Sequence, residues 1–287
     1  MSTRKHRRTR HPLRGLLLFL LILGAAALSL YRSNTAIQTT RFDPFFADLP
    51  EGFDGCRILV LGDLHGTDFG EGNEKLLAAA EKADPDYIFL VGDLLDAFRE
   101  NPADYAQRTA AALSAIAPTC YVTGNHEWGI GNVPALKETL EGNGITVLTN
   151  RYVLLQRGGD TVVLAGIDDP NGYADQKSPE EVAATVYAEQ GDSFWMLLAH
   201  RNNLFENRYS LLGADLVISG HGHGGLIRLP FTDGLVSTEH TFFPSFTAGL
   251  YEKNDSALFV TRGLGNSGST FRLFNRPEAA LLTLHKG

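Results

Sequence analysis

Cysteine is scarce in this sequence: Cys56 and Cys120 are the only two in 287 residues. Two thiols cannot build a disulfide framework, and they cannot furnish a thiolate metal site by themselves. They stand either facing each other at the base of a sheet or as separate buried thiols, since both sit at the start of apolar runs. A Walker-type glycine loop ending in Lys-Ser or Lys-Thr is missing, which removes the P-loop nucleotide hydrolases. Gly263-Leu264-Gly265-Asn266-Ser267-Gly268 has the spacing of a dinucleotide fingerprint. Too little chain follows it to complete the βαβ unit which that fingerprint needs. The chain also lacks repeats of fixed period and low-complexity segments, so it is neither a solenoid nor a tract of biased composition.

Charge is missing by sign and by region. The first fifteen residues hold no acid but carry Arg4, Lys5, Arg7, Arg8, Arg10 and Arg14, and residues 16–30 form an uncharged apolar run. A basic flank before an apolar run is the pattern of a signal or anchor segment. Fifteen apolar residues are short for a span, and Ala25-Ala26-Ala27 offers a cleavage site. We read residues 1–31 as an anchor in the cell membrane, with cleavage and secretion as the alternative. The positive flank stays inside, which places the remaining chain on the extracytoplasmic side. Arg7-Arg8 is only a weak twin-arginine signal, because Thr9-Arg10-His11-Pro12 follows it. Setting aside the six N-terminal cations leaves 19 basic against 33 acidic residues, a formal charge of −14 for residues 32–287. That balance argues against a nucleic-acid partner, and it suits a site whose bound cations cancel part of the charge.

The whole chain is 44% hydrophobic and 20% charged, as a globular protein is. Residues 32–52, with Pro44 and Pro50, read as a tether and an edge strand. From residue 53 onward, strands and helices alternate: 57–61, 87–91 and 120–123 are short apolar runs, and helices are expected over 71–83, 102–117 and 134–141. This is the alternation of a mostly parallel, helix-flanked sheet, in which ligands gather beyond the carboxyl ends of the strands. A hairpin through Gly158-Gly159 and a helix opened by Ser178-Pro179-Glu180-Glu181 follow. Next come apolar runs at 195–199 and 216–219, and strand candidates at 257–261 and 279–284.

Five of these runs end directly on residues able to bind a metal: Asp63 with His65, Asp93, Asn125 with His126, His200, and His221 with His223. The set mixes carboxylate, imidazole and amide without thiolate, which suits manganese, iron, zinc or nickel. It holds more donors than one tetrahedral centre uses, and two divalent ions sharing a carboxylate would use them well. His6, His11, His240 and His285 lie outside this pattern. Arg201, next to His200, could meet a phosphate or form a surface ion pair.

In this order, Asp63-Leu64-His65, Gly92-Asp93-Leu94-Leu95-Asp96, Gly124-Asn125-His126-Glu127, His200 and Gly220-His221-Gly222-His223 resemble the calcineurin-like metallophosphoesterase superfamily. Phe53-Asp54-Gly55, Gly224-Gly225, Arg262-Gly263-Leu264-Gly265, Arg272-Leu273 and Asn275-Arg276-Pro277-Glu278 are similar to its membrane-associated or exported bacterial phosphodiesterases. The resemblance implies an α/β (α+β) fold, a four-layer αββα sandwich of two mixed sheets occupying residues 53–287. It implies one metal on Asp63, His65 and His223, a second on Asn125, His200 and His221, and Asp93 bridging them. His126 would protonate the leaving oxygen with Asp96 orienting it, while a water activated between the metals attacks phosphorus. Gly62 and Gly222 replace the serine and threonine more usual in this branch, and Leu226 replaces a glutamine. The implied substrate is an envelope phosphodiester, a lipid head group or wall polymer. Phosphomonoesterase or pyrophosphatase activity, or a non-catalytic metal-stabilised binding module, are the alternatives. Substrate fit belongs to loops 168–177 and 231–251 rather than to the ligands.

Overall fold

Strands that are apolar on both faces need cover on both faces, and that requirement sets the layers. The computed structural model describes residues 12–229, 232–238, 241–268 and 270–287. Helix α1 (Pro12–Thr35) leads into β1 (Gln38–Phe42) and β2 (Phe45–Phe46). The first half continues through β3 (Cys56–Leu61), α2 (Glu74–Ala83), β4 (Tyr87–Val91), α3 (Pro102–Ser114) and β5 (Thr119–Val122). It closes with α4 (Asn125–Ile130), α5 (Val133–Gly142) and β6 (Ile145–Val147). The second half holds β7 (Arg151–Arg157), β8 (Asp160–Gly166), α6 (Pro179–Gln190), β9 (Trp195–Arg201) and β10 (Leu216–Gly220). Its last strands are β11 (Gly249–Lys253), β12 (Ser256–Val260) and β13 (Glu278–Lys286).

Two mixed sheets result, one in the order β1-β13-β3-β4-β5-β6 with β2 beside β13, the other β11-β12-β10-β9-β8-β7. Side-chain alternation along β3 shows how they stack. Ile58 and Val60 point into a core shared with Met196, Leu198, Ile218 and Phe259 of the other sheet. Leu59 and Leu61 point the opposite way, against Leu76 of α2 and Ala106 and Leu113 of α3. A third core sets Val182 and Val186 of α6 against Trp195, Leu197 and Val217. Three cores separate four layers, helix, sheet, sheet and helix, the expected sandwich. Strands β3 to β6 are mutually parallel, as are β8, β9, β10 and β12. Their carboxyl ends carry every candidate metal residue.

Some local expectations change. The helix read from residue 71 begins as a short 3₁₀ turn over Glu71–Asn73, with α2 proper starting at Glu74. Residues 125–130, to which no element was assigned, form a single short helix, and β11 had no counterpart in the sequence reading. The capping box of α6 forms as expected: Ser178 Oγ accepts from the Glu181 N–H and the Glu181 carboxylate accepts from the Ser178 N–H. Cys56 and Cys120 lie on β3 and β5, separated by β4, and are free buried thiols. Burial pushes both up to about 12, with Asp86 adding to the effect at Cys56.

The apolar run at 16–30 understates the N-terminal helix. α1 has 24 residues, a rise of about 36 Å, enough for the ~30 Å hydrocarbon layer. An 18-residue window of its Leu13–Thr35 stretch has a mean hydropathy of 2.3, and none of that window is buried against the protein. One helix therefore fits a membrane anchor. The basic residues up to His11, His6 among them, and His240 lie outside the described residues. His285 stacks on Phe45 between Asp43 and Asp54, remote from the candidate metal residues.

Candidate metal centre

Left-handed backbone marks the points where the strands release their metal-binding residues. Asp63, His65, Asp93, His221 and His223 have φ between 46° and 67°, a region that non-glycine residues adopt at a cost and that clusters at functional sites. Several contacts hold them there. The Asp63 N–H donates to the Gly92 carbonyl and the His65 N–H to the Asp93 carbonyl, so the first two strand-end loops are laced together. The His221 N–H donates to Asp63 Oδ1 at 3.0 Å, joining the second sheet to the first.

Glu127 is the tie that sequence reasoning quoted but gave no role. Fully buried, its carboxylate accepts from the N–H groups of Asp93, Leu95 and Gly124 at 3.0, 3.0 and 2.7 Å. Burial and the neighbouring Asp93 push it up to about 7. Arg272 is the second such residue. Its buried guanidinium reaches His223 Nδ1 at 3.0 Å and donates to the Gly265 carbonyl, while Asn275 donates to the carbonyl of His223. Burial, and then Arg272, hold His223 well below the usual histidine range. A buried charge with distant partners is the only sequence signal either residue leaves, and periodicity does not show it.

All nine residues singled out in the sequence converge here. Asp63, His65 and His223 form one cluster whose donor atoms lie within 4.8 Å of one another, and Asp93, His200 and His221 form another. His65, Asp93 and His126 satisfy the same condition between them. Asn125 Oδ1 lies 3.2 Å from His200 Nε2. Asp96 is nearer to His65 than to His126: its Oδ2 is 3.2 Å from His65 Nδ1 and 3.8 Å from His126 Nδ1. Apart from that approach, both His65 Nδ1 and Asp96 Oδ2 are buried without a hydrogen bond. Arg201 forms a two-pronged ion pair with Asp169, at 2.7 and 3.1 Å.

The chemistry of the donor set fits divalent ions. His200 directs Nδ1 at the carbonyl of Val91, 2.8 Å away. In the neutral ring the proton then sits on Nδ1, and the bare Nε2 faces two further acceptors, Asn125 Oδ1 and Asp93 Oδ2, each at 3.2 Å. Three lone pairs converging on one point call for positive charge between them. Burial lowers the pKa of His200, but Asp93 outweighs it and lifts the ring to about 10. A divalent cation meets the same need and satisfies all three donors at once. His65 Nε2 and His223 Nε2, 3.0 Å apart, pose the problem again beside Asp63. His221 is already neutral, since burial and His200 push it down to about 3.

The profile of the calcineurin-like phosphoesterase family matches residues 56–225, more than half of the chain and all seven candidate metal ligands. The chain belongs to the calcineurin-like phosphoesterase family. It is a metal-dependent phosphoester hydrolase. An uncharacterized metallophosphoesterase of Bacillus subtilis, YkuE, is 27% identical over 271 residues, covering 91% of this chain and 90% of that protein. The phosphodiesterase YaeI of Escherichia coli is 29% identical over 249 residues, 84% of this chain and 85% of its own length. A zebrafish transmembrane protein with a metallophosphoesterase domain is 28% identical over 250 residues, 82% of this chain and 54% of its own.

Within this phosphoesterase the two glycine departures have a packing reason. A Cβ on Gly62 would come within 2.7 Å of Val91 Cγ2, and one on Gly222 within 2.8 Å of Asn202 Nδ2. The glycines of the apparent dinucleotide motif are explained likewise: Gly263, at φ +68°, lets the backbone pass within 2.6 Å of Asp63 Oδ2 at the Cβ position. Gly92 is constrained twice over. Its φ is +87°, and a Cβ would meet Gly124 N and His200 Nδ1 at 2.7 Å. Gly92→Ala is expected to destabilise the protein by about 2–4 kcal/mol. An unchanged urea midpoint would show that the loop yields freely.

Proposed function

We infer that this phosphoesterase is a two-metal phosphodiesterase, held in the membrane by α1, that cleaves an envelope phosphoester on the extracytoplasmic side. The observation that carries the reading is the shared carboxylate. Asp93 Oδ2 lies 3.2 Å from His200 Nε2 in one cluster and 3.8 Å from His65 Nε2 in the other. Asp63, His65 and His223 would hold one divalent ion, Asn125, His200 and His221 the other, and Asp93 both. When bound, such ions supply Lewis acidity toward the phosphoryl oxygens and activate water near neutral pH.

The chain's own residues do the rest. His126 is half-exposed on the first turn of α4, the one titratable residue of the nine that opens to solvent. Its Nε2 lies 3.4 Å from Ser267 Oγ. It is placed to give a proton to the leaving oxygen. Asp96, closer to His65, acts first by fixing that ring in the tautomer that turns Nε2 toward Asp63 and Asp93. Burial opposes its ionisation, yet the close approach of His65 and the hydrogen bond from the Phe98 N–H lower it to about 2. A cavity of about 240 Å³ beside His221, lined by Asn202, Glu206, Thr238, Phe246 and Thr247, would receive one alcohol portion of the diester. The intact donor set and acid position count against a purely structural metal module.

The test is hydrolysis of bis(p-nitrophenyl) phosphate by the full chain in detergent with manganese, iron, zinc or nickel. Turnover of the diester above that of p-nitrophenyl phosphate is expected. No turnover with any of the four metals would overturn the reading.

A further inference from the structure

The foot of α1 is bonded to the loop that borders the candidate metal centre. Asn34, in its last turn, accepts from the Arg272 N–H and from Asn266 Nδ2, and donates to the Arg272 carbonyl, all at 2.9 Å. Arg276 extends the joint by donating to the carbonyls of Ala36 and Ile37. The same loop supplies the Arg272 guanidinium to His223 and Ser267 Oγ to His126. A single segment, residues 262–276, thus touches the membrane helix on one side and the reacting groups on the other.

Its depth follows from helix geometry. Asn34 lies four residues past Leu30, the end of the apolar run, or about 6 Å along the axis. The headgroup layer on each side of a bilayer is roughly 5–8 Å thick. The loop bonded to Asn34 therefore sits at headgroup depth. Tyr31 and Arg32, both exposed, are residue types that favour the membrane boundary. At that level the protein bares aromatic rings. Phe271 and Phe274 lie beside Arg272 and are 54% and 51% exposed, and Phe98, 77% exposed and two residues after Asp96, lies against Gly268. Phe274 is held out with φ of +53°, a conformation a bulky residue adopts only under constraint. Arg276 donates to the carbonyl of Ala36, whose N–H is bonded to the carbonyl of Arg32, so the patch pairs apolar rings with positive charge, as surfaces that rest on anionic lipid do.

We propose that Phe98, Phe271 and Phe274 dip into the headgroup layer of the membrane that α1 spans, and that the substrate is a phosphodiester lipid of that leaflet. The substrate half of this rests on the two-metal phosphodiesterase reading; the surface half does not. The lipid's phosphate reaches the metal residues past Phe98 while its acyl chains stay in the bilayer. A freely soluble phosphodiester would have no use for an aromatic rim bonded to the anchor.

The test uses the full chain in vesicles of phosphatidylethanolamine and phosphatidylglycerol. The native thiols are buried, so Phe271→Cys, Phe274→Cys or Leu154→Cys can each carry one fluorophore. Leu154 is exposed on β7, the edge strand farthest from β11 in its sheet. Labels at 271 and 274 are expected to be quenched by lipids brominated near the glycerol and shielded from aqueous iodide, with the label at 154 showing the reverse. Iodide quenching as strong at 271 and 274 as at 154 would overturn the surface. In the same vesicles, Phe271→Ser/Phe274→Ser should keep its rate on soluble bis(p-nitrophenyl) phosphate and lose at least about tenfold on phosphatidylglycerol. Equal loss on both substrates would overturn the rim's role in substrate access. Lipid quenching without hydrolysis of either substrate would leave the surface standing and overturn the catalytic reading.

Discussion

Asp93→Ala is expected to abolish hydrolysis and to strip the protein of both metal equivalents. The carboxylate is buried at the meeting point of the two clusters, and its Oδ1 also accepts from the His126 N–H at 2.8 Å. Burial opposes its ionisation, but His200 and then His65 outweigh that and hold it below the usual carboxylate range, so it is charged at every working pH. Each divalent ion in such a site is worth several kcal/mol of transition-state stabilisation, about 10³-fold, and loss of both predicts a fall of order 10⁶. The measurement is kcat/KM on an aryl phosphodiester together with elemental analysis of the same sample. Retention of more than about a hundredth of the activity would place the shared charge elsewhere.

His126→Ala is expected to have a different signature. General acid catalysis contributes about 10²–10⁴-fold when the leaving group is a poor one. An alkyl phosphodiester should therefore slow by that factor, whereas a p-nitrophenyl ester, whose phenolate departs without help, should slow far less. Metal content should stay unchanged, because no contact of His126 is needed to satisfy the acceptors around His200. Comparable slowing on both esters, accompanied by metal loss, would instead make His126 a ligand, a role its proximity to His65 and Asp93 allows.

The parallel, helix-flanked strands were legible because each is a short apolar run ended by a polar residue that its loop cannot hide, whereas their division into two stacked sheets was implied only by the family resemblance. Strands β3, β4, β5, β9 and β10 are buried on nearly every residue, and an uninterrupted hydrophobic run is what such burial leaves in a sequence. Strand β11 left no comparable trace: Gly249–Lys253 alternates between half-buried and exposed at a sheet edge. Helix α4 was missed because six residues, one of them Gly129, carry no periodicity, and its start is fixed by Glu127 reaching back to the Gly124 N–H.

At the site, the residues standing directly at strand ends were readable, and those acting across long sequence separations were not. Glu127 bonds residues 32 and 34 positions away, and Arg272 meets His223 across 49 positions. Such partners are set by sheet order, which a local pattern does not encode. Asp96 shows the same limit on a finer scale. The family resemblance implied a partner for His126, and the turn carries its Oδ2 closer to His65.

The central claim is that two ions divide the ligands, with Gly222 as the point where their two spheres meet. Elemental analysis of the purified full chain, beside His221→Ala and His223→Ala, tests it directly. Two equivalents in the parent and one in each variant are expected. The ion lost from His223→Ala should be the one also lost from His65→Ala, and the ion lost from His221→Ala the one lost from His200→Ala. A single equivalent in the parent, or loss of both from either variant, would contradict the division.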